Sequence, residues 1–236
     1  VDFVRAKERG LSNEAVLDLV RANGLPVSAM GVEYGWIFSS GSERERLFNS
    51  FRQACENAVA LKCRMMMSAI GPGTATPEEA VANIVHAGEI AASHGLRLTL
   101  EYQFQHPVVR TLDILRDMIA RAGRPNVGLL LDAYHLQRGD RPGAGFADVP
   151  EDEIFYVQFS DVPDAPPASA PPVDRLPPGQ GVVRWTELLR LLAEKNYQGW
   201  LSYEAPNPAH WAKPATETAK EGADAARRAL AAAFQV

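Results

Sequence analysis

The chain has 236 residues, 46% of them hydrophobic and 22% charged, with a formal net charge of −5. That length and balance describe a globular chain able to bury a large core, and α/β barrels use such a length for one domain. There is no basic run to bind nucleic acid or an anionic membrane surface, and no apolar segment reaches membrane-spanning length.

Val1–Val4 reads as a strand cut short at its start, with Asp2 or Arg5 near its end. A helix follows over Leu11–Gly24, capped by Ser12 or Asn13, with Val16, Leu17, Leu19 and Val20 as its apolar stripe. Pro26–Val32 predicts a strand and Glu33–Gly41 an aromatic loop carrying Tyr34 and Trp36. From Glu43 to about Leu61, Leu47, Phe51, Cys55 and Val59 recur at near-helical spacing. Arg64–Ile70 is a strand, and its Met65, Met66 and Met67 are core residues. Thr76-Pro77-Glu78-Glu79 opens a helix that stops at Gly95: a capping hydroxyl, a proline in the first turn and acids at the positive end. Leu96–Glu101 is a strand and Thr111–Ala122 a helix. Val127–Leu131 is an apolar run ending in Asp132 and, three residues on, His135. A loop over Gln137–Glu153 precedes the strand Ile154–Phe159. Asp161–Gly181 is a proline-rich surface loop. The helix Trp185–Lys195, the strand Gly199–Glu204 and an alanine-rich helix Thr216–Phe234 complete the chain. Cys55 and Cys63 have neither metal nor redox spacing, and two such thiols suit a reducing cytoplasm.

Strand and helix alternate throughout, which predicts a parallel sheet, open or closed into a barrel. The reading contains seven strands where a closed (β/α)8 barrel has eight, and the chain opens in mid-unit. The expectation is therefore a single domain over residues 1–236 lacking a first strand and helix.

Four apolar runs end in an oxygen donor: Leu96–Leu100 in Glu101, Val127–Leu131 in Asp132, Ile154–Val157 in Gln158, and Trp200–Tyr203 in Glu204. In α/β folds the C-terminal rim of the strands is where ligands bind. Any one of these residues alone is as readily a plain strand cap; four at successive strand ends favour a shared site. Carboxylates and an amide oxygen are hard donors, suited to Mg²⁺ or Mn²⁺ more than to Zn²⁺. Crowded carboxylates need a cation, or one must hold a proton.

The segments Leu-Thr-Leu-Glu101, Gly-Leu-Leu-Leu-Asp132-Ala-Tyr-His135, Phe-Tyr-Val-Gln158-Phe-Ser-Asp161, Pro178-Gly-Gln-Gly181 and Trp-Leu-Ser-Tyr-Glu204 resemble the xylose-isomerase-like TIM-barrel superfamily of sugar isomerases, epimerases and dehydratases. The resemblance covers nearly the whole chain and is strongest from Leu96 to Glu204. It implies a (β/α)8 TIM barrel in which Val1–Val4 matches the second strand. It implies one divalent metal, Mn²⁺ or Mg²⁺, held by Glu101, Asp132, Gln158 and Glu204, with Gln158 standing where histidine is usual. Hydroxypyruvate isomerases and 3-dehydroshikimate dehydratases are similar in having glutamine there, and the segments Gly128–Asp140 and Val149–Pro163 are particularly similar to the dehydratases.

On this resemblance the chain is a metal-dependent isomerase or epimerase of a small polyhydroxylated carbonyl compound. The reaction passes through an enediolate, with Glu101 and Glu204 as the acid/base pair. Return of the proton on the opposite face is epimerisation, return to the neighbouring carbon is isomerisation, and loss of a β-hydroxyl is dehydration of a 3-dehydroshikimate or inosose type. A non-catalytic barrel subunit is the third reading. His135 is expected to contact a substrate hydroxyl, with a structural histidine as the alternative. Gln180 faces the pocket or simply occupies a turn, and Trp36 and Tyr34 wall the substrate or form a surface pair. Asp161 is expected to support the ligands from behind, while His86, His94 and His210 lie away from the strand ends. Relatives of this kind often form homodimers.

Overall fold

A computed structural model describes residues 3–139, 141–167 and 169–235. The chain divides into two units, residues 1–99 with 119–127, and residues 100–118 with 128–236.

The first unit opens with α1 (Phe3–Glu8) and α2 (Asn13–Ala22). This corrects the strand expected at Val1–Val4: Val1 and Asp2 lie outside the described residues, and Phe3 onward is helical. Arg9 and Gly10 donate to the Arg5 and Lys7 carbonyls as the helix closes. Ser12 caps α2 by accepting from the Ala15 N–H. The strand expected at Pro26–Val32 shrinks to β1 (Met30–Gly31), because only these two residues pair, parallel, with Met66 and Met67. Then come α3 (Gly41–Ala60), β2 (Met65–Ala69) and α4 (Pro77–Ser93). The capping box is present: Thr76 Oγ1 accepts from Glu79 N, and Glu79 accepts from Thr76 N. The core here is aromatic. Trp36 is fully buried, edge-on to Phe48 and Phe51, and its indole N–H donates to Ser68 Oγ at 2.9 Å. Asn83 of α4 donates to the Ile37 and Ser39 carbonyls, fixing the aromatic loop.

β3 (Arg97–Glu101), α5 (Leu112–Ala122) and β4 (Val127–Asp132) each contribute to both units. The order of strands is β1-β2-β3 in the first unit and β3-β4-β5-β6 in the second. The second unit continues with α6 (Ala133–Arg138), β5 (Ile154–Phe159), α7 (Trp185–Glu194), β6 (Leu201–Tyr203), α8 (Pro208–Trp211) and α9 (Ala215–Phe234). α6 takes up the start of what reads as a loop from Gln137. β4, β5 and β6 are parallel, and β4 and β5 are buried along their whole length, as strands covered on both faces must be. The β4–β5 register slips between Leu129 and Leu130, so that Asp132 comes level with Gln158. Gly128 is the close-packing point of this pair, since a Cβ there would meet the Phe155 ring. α9 approaches β6 at Gly222, where a Cβ would meet the Tyr203 ring. Among the described residues no helix is long and apolar enough to cross a membrane.

Candidate metal centre

The site lies within the second unit and starts from the end of β4. Asp132 is fully buried, and its Oδ1 accepts from the Tyr134 N–H at 2.8 Å. That bond caps α6 directly against the strand, so His135 turns back beside Asp132. His135 Nε2 lies 3.9 Å from Asp132 Oδ2 and 3.9 Å from Glu101 Oε1. One ligand atom each from Glu101, Asp132 and His135 falls within 4.8 Å of the others, and all three residues are buried. Gln158, 3% exposed, is paired with Asp132 on the neighbouring strand and so shares its face of the sheet. Glu204 follows β6, its N–H donating to the Phe159 carbonyl, and its side chain is 42% exposed at the rim.

The residue that joins these groups is Arg175, from the proline-rich loop. Its Nη1 donates to Asp132 Oδ2 at 2.6 Å, to Glu204 Oε2 at 2.9 Å and to the Glu204 carbonyl at 3.3 Å. Nη2 lies 3.3 Å from His135 Nε2, and the guanidinium stacks over the Tyr134 ring at 4.5 Å. Tyr134 donates its hydroxyl to Asp174 Oδ1 at 2.5 Å, and Arg138 donates to Asp174 Oδ2.

Asp161 holds this loop rather than the ligands. Its Oδ1 accepts from Val162 N and Val183 N, and its Oδ2 from Gly179 N and the Trp185 indole. Its backbone exchanges two hydrogen bonds with Leu176, the neighbour of Arg175. The expected supporting role behind the ligands is thus replaced by a structural one.

The electrostatics follow from burial. Glu101 is pushed well above the usual carboxylate range by desolvation, then by the charges of Asp132 and Glu204, with Arg175 only partly opposing. Desolvation also raises Glu204, against the pull of Arg175. Burial lowers His135 to about 4, so its imidazole is neutral near pH 7. Burial works against the charge of Arg175, but the three carboxylates around it outweigh that and hold it firmly protonated.

These donors suit a hard divalent cation. Glu101 Oε1 and Gln158 Oε1 are buried acceptors without a hydrogen-bond partner. A buried acceptor left unpaired costs about 1–3 kcal/mol, and a cation relieves it.

Of the residues singled out from sequence, Glu101, Asp132, His135, Gln158 and Glu204 belong to this site. Trp36 does not: it is fully buried in the first unit, a packing residue there, while Tyr34 is 61% exposed. Gln180 is exposed and lines a separate concavity of about 240 Å³ with Pro177, His210 and Lys213. Arg175 and Tyr134 escaped the sequence reading. An isolated arginine in a proline-rich stretch looks solvated, and no local pattern marks it.

Known proteins share this fold. The sequence model of the family described as "Xylose isomerase-like TIM barrel" matches residues 4–229. An inosose isomerase from Halalkalibacterium halodurans is 30% identical over 146 residues, covering 60% of this chain and 50% of that protein. A 3-dehydroshikimate dehydratase from Pseudomonas aeruginosa is 29% identical over 183 residues, covering 75% of this chain and 28% of that protein. The chain thus spans about half of the first relative's length and less of the second's. Among solved structures, the IOLI protein with a binding zinc atom superposes with a TM-score of 0.83 at 19% identity, over 97% of this chain and 86% of that one. Strand–helix alternation, polar residues gathered at strand ends and a family match over almost every residue converge: the chain is a member of the xylose isomerase-like TIM-barrel family.

Proposed function

We propose that this site binds one divalent metal, Mn²⁺ or Mg²⁺, and serves isomerisation or epimerisation of a small polyhydroxylated ketone. The observation that carries the reading is Glu101: a buried carboxylate with an unpartnered oxygen, its ligand atoms gathered with those of Asp132 and His135. Glu101, Asp132, Gln158 and Glu204 would hold the metal. Bound there, a divalent cation would polarise the substrate carbonyl and acidify the neighbouring C–H.

The chain's own groups then divide the work. Glu101, held above the usual carboxylate range by burial and by the neighbouring carboxylates, is the group proposed to take the proton from carbon. Glu204, also raised, is the partner that returns the proton. The neutral imidazole of His135, whose Nε2 faces the guanidinium, offers an acceptor to a substrate hydroxyl, and Arg175 offers donors. Removal by one glutamate and return by the other inverts a centre, and return to the adjacent carbon isomerises. Dehydration is the second reading. It is favoured by the relatives named 3-dehydroshikimate dehydratase; there His135 or Arg175 would assist the departing hydroxyl.

The test is metal analysis and ²H exchange with wild type and Glu101→Gln, using simple ketoses, inosose and dehydroshikimate. Stoichiometric Mn²⁺ or Mg²⁺, solvent deuterium entering substrate carbon, and a loss of about 10²–10⁴ in rate in the variant are expected. Product mass separates isomerase from lyase. A protein that binds no metal after reconstitution overturns the reading in favour of a non-catalytic barrel.

A further inference from the structure

We infer that Arg175 is the site's own counter-cation, and that a divalent metal loads by displacing it from Asp132 and Glu204. The inference rests on the metal reading above and concerns how the chain's residues receive the ion.

One guanidinium corner occupies two of the four proposed ligands. Arg175 Nη1 lies 2.6 Å from Asp132 Oδ2 and 2.9 Å from Glu204 Oε2. The other oxygen of Asp132 is already used, accepting from Tyr134 N at 2.8 Å. Each oxygen keeps a second lone pair, but a dication on Asp132 Oδ2 would stand against the Arg175 guanidinium, cation beside cation, and one on Oδ1 would crowd the cap of α6. The cap is a short-range bond within a fully buried turn. The arginine is a long side chain that can pivot. The exchange therefore falls on Arg175.

The displaced guanidinium stays close. It lies 4.5 Å from the centre of the Tyr134 ring, which offers a face to slide across. Tyr134 is fixed through Asp174, which Arg138 holds in turn. The arginine's own backbone is pinned on both sides: Leu176 pairs with Asp161, and the Arg175 carbonyl accepts from the Asn207 amide. Only the side chain has to move. The metal-free chain keeps its crowded carboxylates neutralised, and metal affinity becomes the difference between two cations competing for the same oxygens.

The experiment has two arms on the full chain. Calorimetric Mn²⁺ titration of EDTA-treated protein is expected to show Arg175→Gln binding about tenfold tighter or more than wild type. Arg175→Lys keeps the charge but cannot bridge both carboxylates, and is expected to fall between the two. In the second arm, ¹⁵N spectra of wild type follow the guanidinium signals missing from Arg175→Lys. Mg²⁺ saturation is expected to shift them while the Tyr134 amide holds its position. Arg175 signals unmoved at saturation overturn the inference, as does Arg175→Gln binding no tighter than wild type. Arg175→Lys binding as tightly as Arg175→Gln would mean that a retained charge does not compete for the carboxylates, which also overturns it. Failure of every protein to bind Mn²⁺ overturns the metal reading itself, a result distinct from these.

Discussion

Replacing Asp161 with asparagine changes one atom and should undo the loop that carries Arg175. Each carboxylate oxygen accepts two N–H groups: Val162 and Val183 at 2.9 Å on Oδ1, and Gly179 at 2.7 Å with the Trp185 indole at 2.9 Å on Oδ2. Whichever way the amide turns, its NH₂ faces two donors. Two hydrogen bonds to a charged acceptor are lost, at about 1.5–3 kcal/mol each, so the variant should be roughly 3–6 kcal/mol less stable. That is a large part of the ~5–15 kcal/mol that holds a domain together. Urea unfolding of wild type and Asp161→Asn, followed by tryptophan fluorescence, measures it, since Trp185 loses its partner as the loop loosens. Because Leu176 pairs with the Asp161 backbone, Arg175 should also lose its fixed place, and its guanidinium NMR signals should broaden. A loss below about 1 kcal/mol would refute the assignment of Asp161 as the anchor of this loop.

Two further outcomes follow from burial. His135 sits at about 4 instead of the ordinary 6.5, so between these values the unfolded chain binds the extra proton. Its contribution is complete above pH 6.5 and lost as pH falls towards 4, amounting to about 3 kcal/mol. Glu101, raised by burial, acts in the opposite sense, so the comparison that isolates the histidine is wild type against His135→Gln, metal-free, across pH 4–7; equal slopes would contradict it. Trp36→Phe removes the bond to Ser68 and opens a void in the first unit, and should cost about 1–3 kcal/mol while leaving Mn²⁺ affinity and KM unchanged. A tenfold rise in KM in the folded variant would return Trp36 to the substrate wall.

Much of the site was legible because it is written at the ends of buried strands. An apolar run that stops at an oxygen donor is a local pattern, and Glu101, Asp132, Gln158 and Glu204 each carry it. The helices with strong caps, α2 and α4, were legible for the same reason: Ser12 and Thr76-Pro77-Glu78-Glu79 act within a turn. What was not legible depends on distant partners. Arg175 acquires its role from Asp132 and Glu204, far along the chain, and no periodicity marks it. Val4 has strand propensity, but strand formation needs a neighbour to pair with, and local bonds made a helix first. Trp36 failed for a related reason: an aromatic loop reads the same whether its rings face a ligand or, as here, Phe48 and Phe51.

The slip between β4 and β5 sets the phase of the whole polar rim. Leu129 pairs with Ile154, but Leu130 pairs with Tyr156, so one residue of β5 is skipped before Asp132 meets Gln158. Side chains alternate along a strand, and a shift of one residue exchanges its two faces. Had the pairing of Leu129 with Ile154 run on unbroken, Asp132 would stand level with Val157, and the amide of Gln158 would point to the opposite side of the sheet. The bulge therefore works as a reading frame for the strand. Inserting one residue after Phe155, with the bulge kept, would leave every ligand in the sequence yet bring Val157 level with Asp132 in place of Gln158. A family whose chemistry depends on the donor at this strand could change it by a single-residue insertion or deletion several positions before the site, with no substitution of the donor itself.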